Sequence, residues 1–422
     1  MTFVCERYPV PLRQDLSLIY DQINIESRAN ENLADSKYNV QSLVNQIQKI
    51  ANEISSLGRE REQSLAIIRL LNTPIIESKH VGLPLEFPNQ KIASSFPMGA
   101  INGLTIAAVD GGSARKSFSG FDLVGSRASG IVMTLGASRV RDVSYYPQKH
   151  PVVNIQILRS PMTFVESTEL ASRYREIEEL RTALGLLGQR NRHVDILLMD
   201  GTFDQGTFLS RSRTIPETSL YLRLLEKLKT VAREKGIMIG WVVKDSRLSI
   251  FSKVLLAYVH QIASKNPKIY QYNIVGVLEG ILDQLMMHYI LSEGERSFVV
   301  SHISETATEL AQSQSRRYSF YLKTVSDDLP MRVDFQKSPR ELEESEVILE
   351  EVNKLSTTIS SLSRYNGHYS FPSPLVEADG RARITDAEFS IIVDSIVRRI
   401  SCRSEVLPLR RERSPFRLRK SR

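Results

Sequence analysis

The residues best placed to do chemistry are two aspartates, each delivered by a run of apolar residues. Leu104 to Val109 ends abruptly in Asp110, Gly111, Gly112 and Ser113, and Val194 to Met199 runs in the same way into Asp200 and Gly201. Such runs read as buried strands, so each places a carboxylate at a strand's exit beside glycines that leave room for a ligand. Hydrolysis of a phosphodiester calls for metal ions that activate a water and screen the leaving oxygen, and paired ions stand about 3.5–4 Å apart on shared carboxylates. Hard cations such as Mg²⁺ and Mn²⁺ select oxygen ligands, which makes Asp and Glu the expected ligands. A single aspartate before glycine is more often a turn or cap residue. Two of them, with a glutamate-rich helix between, weaken that plainer reading.

The helix between the two strands supplies the third carboxylate, because it carries Glu176, Glu178 and Glu179 beside its apolar stripe. On a wheel of about 100° per residue the stripe passes through Tyr174, Ile177 and Leu184. Glu178 and Glu176 flank it and Glu179 points further away, which favours Glu178 slightly. A solvated acidic face is the ordinary alternative for any one of them. Lys244, just past the strand Ile237 to Val243 and followed by Asp245 and Arg247, can hold a phosphate as a point charge. Alone, it reads equally well as a surface lysine.

The elements that must position these residues follow from periodicity. Asp15 to Leu71 reads as helical, and within it Leu43, Ile47, Ile50, Ile54 and Leu57 step by 4, 3, 4 and 3, the spacing of a packing seam. A helix packed on the chain's own core is the commoner meaning of such a seam; a helical hairpin or dimerisation arm is the other. After a linker rich in proline and glycine, strands are expected at Leu104 to Val109, Ile131 to Leu135 and Val152 to Leu158. A helix at Thr168 to Gln189, the Asp200 strand, a helix at Ser219 to Lys235 and the strand Ile237 to Val243 follow. Strands first, then alternating helix and strand, suggest a mixed sheet with helices on its faces. Further on, helices are expected at Leu248 to Ser264, Val277 to Leu291, Glu341 to Leu362 and Ile384 to Ile400. Strands are expected at Phe298 to Val300, Ser319 to Val325 and Met331 to Phe335, and a loop at Tyr365 to Pro374. The domain boundaries read as a helical arm at 1–72, a linker at 73–103, a main domain at 104–400 and a basic tail at 401–422.

Composition narrows the class. With 41% hydrophobic and 24% charged residues in 422, the chain is long enough for a large core. No apolar run approaches the ~18 to 20 residues of a membrane span, and the N-terminus lacks the pattern of a secretory signal, so a cytoplasmic location and no membrane association are expected. Two cysteines, Cys5 and Cys402, support neither a disulfide framework nor a zinc site. No G-x-x-x-x-G-K-[ST] occurs, which argues against P-loop nucleotide hydrolysis. The net charge of +7 is concentrated in the tail, where eight basic residues between Arg403 and Arg422 stand against Glu405 and Glu412. Such an arm is drawn to phosphates with an affinity that falls as salt rises, or else simply solubilises the chain.

Several stretches, taken in order, resemble the NurA family: AAVDGGSA (Ala107 to Ala114), ILLMDGTF (Ile196 to Phe203), IGWVVKDSR (Ile239 to Arg247), LSEGERS (Leu291 to Ser297), PMRVDF (Pro330 to Phe335) and FPSPLVEAD (Phe371 to Asp379). The resemblance covers about Leu104 to Ile400 and implies an α/β fold, a ribonuclease H-like mixed sheet flanked by helices with an N-terminal helical arm. It implies an acidic site served by Mn²⁺ or Mg²⁺, with Asp110 and Asp200 as its two aspartates and Glu179 or Glu178 as the helix glutamate. The family's E-L-x-x-A spacing through Ala183 selects Glu179 where the wheel favours Glu178, so both stay open. Lys244 matches a basic residue facing the scissile phosphate.

One departure stands out: where the family usually has Ala-His, this chain has Ala378-Asp379. Aspartate also ligates hard metals, giving Asp110, Glu179, Asp200 and Asp379 as the implied metal set, with His368 as a possible spatial substitute. The implied activity is 5′-to-3′ exonuclease and single-strand endonuclease action on single- and double-stranded DNA ends, in end resection and double-strand break repair. The implied assembly is a homodimer working with a HerA-type hexameric ATPase. The rival expectation is a non-catalytic DNA-binding subunit of such a translocase.

Overall fold

The computed structural model describes residues 33–71, 90–96, 101–118, 120–136, 143–159, 163–189, 193–202, 216–265, 273–303, 316–337, 345–364 and 367–400. Both cysteines, the basic tail and the helix expected before Leu33 lie outside them. Residues to Gln63 form one compact unit and those from Ser64 onward a second.

The second unit is built on a mixed sheet in which β2 (Thr105–Ser117) is flanked by β3 (Phe121–Thr134) and β6 (Ile196–Asp200). β3 is antiparallel to β2 and carries β5 (Asn154–Arg159) and β4 (Val143–Tyr146) one after the other along its far edge. On the other side β6 runs parallel to β2, and β7 (Met238–Val243) runs parallel to β6. The sheet continues through β11 (Met331–Lys337), β10 (Arg316–Lys323), β8 (Glu295–Ser297) and β1 (Ala93–Ser95), with β9 (Val300–Ile303) also on β10. β1 falls within the stretch read from sequence as a linker.

Parallel strands need long crossovers, and two helices provide them. They are α2 (Phe164–Leu187), which connects β5 to β6, and α3 (Pro216–Glu234), which connects β6 to β7. The start of α2 is fixed by a capping box, in which Thr163 accepts from the Glu166 backbone N–H and the Glu166 carboxylate accepts from that of Thr163.

Both faces of the central strands are covered, which is why their sequences run apolar without alternating. The odd residues Ala107, Val109, Leu197 and Met199 pack with Ile177, Leu180 and Ala183 of α2 and Tyr221, Leu225 and Leu228 of α3. The even residues Ile106, Ala108, Ile196 and Leu198 pack with α7 (Ser345–Ser363) and α8 (Ser373–Ala382) through Ile348, Val352, Leu355, Leu375 and Ala378. A separate core gathers α4 (Ile250–Lys265), α5 (Ile274–Glu279) and α6 (Asp283–Ile290) around Phe298 and Tyr321.

The sequence predicts one helix over Val277 to Leu291, but the chain breaks at Gly280 between α5 and α6. Asp283, fully buried at the start of α6, accepts from the backbone N–H groups of Ile250, Phe251 and Ser252 and thereby caps α4. α8 occupies a stretch read partly as loop, ahead of the last helix, α9 (Asp386–Arg399).

In α1 (Leu33–Leu71) the seam residues Leu43, Ile47, Ile50, Ile54 and Leu57 are 43–63% exposed, whereas Leu65 and Ile68 in its last turns are fully buried. The seam is therefore an open apolar face among the described residues. No helix among those residues is long and apolar enough to cross a membrane.

Candidate active site

The parallel pairing of β2 with β6 ends at Val109 opposite Met199, so Asp110 and Asp200 are the first residues beyond it. β2 itself does not end there. Gly111 to Ser117 go on pairing with β3, so Asp110 leaves the parallel sheet while its backbone stays in an antiparallel ladder. By strand alternation Asp110 and Asp200 share the parity of Ala108 and Leu198 and face the α8 side. Lys244, two residues past the buried Val242, shares that side, and its ammonium sits 3.8 Å from the Phe371 ring centroid.

The third carboxylate approaches from the opposite face. Glu179 lies on α2 and is 4% exposed. A Cβ on Gly111 would come within 2.6 Å of Glu179 Oε1 and 2.9 Å of Arg175 Cγ, so only glycine lets the strand rim admit these side chains. Gly112 does the same for the other layer, because its Cβ would collide with the Ala382 carbonyl at the end of α8. That carbonyl is held by the buried guanidinium of Arg127, Nε to O 3.0 Å, and Arg127 also pairs with Glu388 at 2.6 Å. These contacts fix the C-terminal end of α8, and Asp379 stands on its last turn.

The charges of these groups act on one another. Burial pushes the Asp110 carboxyl well above the usual range, Asp200 and Asp379 push it further, and the Gly111 N–H and Lys244 oppose them. Glu179 is raised well above its ordinary value by burial, with Arg175 opposing and Asp110, Glu176 and Asp200 adding to the rise. Asp200 is raised by burial against the pull of Lys244 and Arg175. Asp110, Glu179 and Asp200 thus act on one another at this end of the parallel strands, and Asp379 and Lys244 act on the two aspartates.

Glu178 does not join them. It accepts from Asn154 at 3.0 Å and from Arg181 at 2.7 Å. The wheel misplaces it because α2 is buried on two sides, against the sheet and against α3, so its buried arc is wider than the stripe through Tyr174, Ile177 and Leu184. His368 is exposed and pairs with Asp327 at 3.1 Å. Sequence reasoning missed Arg175, whose Nη1 lies 3.1 Å from Glu179 Oε1 and 3.9 Å from Asp200 Oδ2. Its spacing of one helical turn before Glu179 was the available signal.

The donor set, oxygen throughout, suits a hard divalent cation. Apart from its ion pair with Arg175, the buried Glu179 Oε1 has no hydrogen-bond partner, which leaves it lone-pair capacity for a cation. Among the described residues no three ligating side chains stand at metal-holding spacing, and the Arg175 guanidinium is within 4 Å of both Glu179 and Asp200.

The raised carboxyls make a pH prediction with a definite sign. A folded-state pKa above the ordinary carboxylate values means that the folded chain holds protons the unfolded chain releases. Stability is thus lost as pH rises from the unfolded value toward the folded one. Asp110→Asn removes one such carboxylate. Its melting temperature in EDTA is expected to gain on wild type as pH rises from about 4 to 8, and a constant difference would contradict the shift.

A three-stranded antiparallel meander followed by two parallel strands, with carboxylates at the ends of the central pair and on the intervening helix, defines a ribonuclease H-like α/β fold with an acidic centre. The model of the NurA domain matches residues 104–384. The chain belongs to the NurA family. Among solved structures, the NurA nuclease from Sulfolobus solfataricus is similar over 87% of this chain and 98% of its own, with 15% identity and a TM-score of 0.52. A NurA bound to dAMP and manganese matches over 86% of this chain and 98% of its own, with 12% identity and a TM-score of 0.40. Comparison with curated proteins finds no significant match.

Proposed function

We propose that this protein is a divalent-metal-dependent DNA nuclease. The observation that carries the reading is the convergence of Asp110, Glu179 and Asp200 with Lys244 at the end of the parallel strands. Family membership supports it, as NurA proteins have been crystallised with manganese and with dAMP. Asp110, Asp200 and Glu179 would hold the ion, with Asp379 in the place where the family usually has histidine. The bound ion supplies Lewis-acid activation of a water and charge neutralisation at the leaving oxygen. Lys244, with its ammonium fixed over Phe371, holds a phosphate oxygen of the substrate. Asp110 and Glu179 are buried and Asp379 is exposed, which supports entry of the substrate from the α8 side.

The finer reading is 5′-to-3′ exonuclease and single-strand endonuclease action in DNA end resection and double-strand break repair, beside a HerA-type ATPase. The open apolar seam of α1 supports a helix–helix contact, with a second copy in a homodimer or with that ATPase. The domain reading keeps 104–400 as the nuclease domain, with the basic tail as a DNA-holding arm.

Purified protein incubated with end-labelled single-stranded DNA tests the activity. Cleavage with Mn²⁺ and none with EDTA is expected. Binding without cleavage under any divalent metal would instead support a non-catalytic DNA-binding subunit.

A further inference from the structure

Two arginines on the first half of α2 stand two residues apart and behave differently. Arg173 is 1% exposed, pairs with Glu176 at 2.7 Å and stacks on the Tyr221 ring at 4.2 Å. It is locked in place. Arg175 keeps 26% of its side chain exposed and reaches the acidic centre, 3.1 Å from Glu179 and 3.9 Å from Asp200. Glu179 Oε1 makes no aligned hydrogen bond, so Arg175 meets it by charge contact and not by a fixed fork. Gly111 is cut back to seat both Arg175 Cγ and Glu179 Oε1.

A guanidinium that close to two carboxylates competes with a divalent cation for the same oxygens, since two cations in that space repel and the oxygens cannot serve both. We propose that Arg175 is a tethered counter-cation, holding Glu179 and Asp200 until a divalent ion displaces its guanidinium toward solvent, and thereby setting the metal affinity of the site. The charge of the acidic centre is partly offset while it is empty. In the loaded state the freed guanidinium lies at the mouth of the site, where a DNA phosphate enters. Arg175 is a positioning residue in this scheme, acting through Glu179 and Asp200. The inference rests on the metal site assigned under the proposed function.

The test measures Mn²⁺ binding to metal-free, full-length protein by the loss of the free-ion paramagnetic resonance signal. Arg175→Met is expected to bind Mn²⁺ about tenfold more tightly than wild type, the effect of roughly one weak ion-pair's worth of competition removed, while its melting temperature in EDTA falls. Arg175→Lys, which keeps the charge, is expected to bind within about threefold of wild type on the same scale. Arg175→Gln decides the matter if the methionine variant does not fold. An affinity equal to or weaker than wild type in the neutral variants overturns the proposal, because an arginine that merely shapes the site would loosen it when removed. Equal tightening in the lysine variant overturns it too, since charge would not be the cause. Asp110→Asn serves as the separate control. If it binds Mn²⁺ as wild type does, the site assignment fails and the inference with it; if it loses binding while Arg175→Met gains none, only the inference fails.

Discussion

Asp110→Asn and Asp200→Asn are each expected to lower the cleavage rate at saturating Mn²⁺ by about 10³-fold or more, and the double variant to lose little beyond either single one. The two carboxylates face the same side of adjoining parallel strands and share one centre, so removing either dismantles the same unit. Stability separates this loss from misfolding. Because the carboxyls of Asp110 and Asp200 are raised by burial, the asparagine variants are expected to melt no lower than wild type in EDTA near neutral pH. Single-turnover cleavage of labelled DNA beside thermal melts gives both readouts. Undiminished activity in both variants would remove these residues from the site.

Asp334→Ala is expected to cost about 3–5 kcal/mol of folding stability, the usual effect of stranding a buried charge. Asp334 is fully buried on β11 and pairs with Arg332, which is 3% exposed, at 3.0 Å. It also accepts from Ser319 at 2.6 Å and from Thr202 at 3.2 Å, and Arg332 donates to Ser246 at 2.8 Å. Thr202 lies two residues after Asp200 and Ser246 two residues after Lys244, so this network ties the two loops of the site to the neighbouring strand. Activity should fall along with stability. A denaturant midpoint lowered at unchanged slope is the expected result, and Arg332→Met in the Asp334→Ala background should recover part of it. A midpoint like that of wild type would show the pair to be dispensable.

Much of this arrangement was legible in the residues themselves. Two apolar runs ending in Asp-Gly stand out because a strand buried on both faces has no polar interruption until the site is reached. Other features are set by tertiary contacts that no local pattern encodes. The choice between Glu178 and Glu179 depends on α2 being wedged between a sheet and a second helix, and a wheel drawn for a helix buried on one side does not show which of them turns toward Asp110. α8, which carries Asp379, opens with Ser373 and Pro374 after an aromatic and proline stretch, and those residues read as loop until Leu375 and Ala378 are seen packed on the even face of the sheet. The continuation of β2 beyond Asp110 was hidden for a different reason. Gly111 and Gly112 signal a turn, whereas here they serve close approach, one to Glu179 and the other to Ala382.

That pair of glycines has a consequence for when the protein can act. Glu179 comes over the rim of the sheet from the α2 layer, while Asp379 comes from the α8 layer two hundred residues later in the chain. A nascent or partly unfolded chain holds Asp110, Glu179 and Asp200 but not the layer that closes the other face. The proposed site is complete only when both helical layers are seated on the sheet, so lifting either one away is expected to silence cleavage.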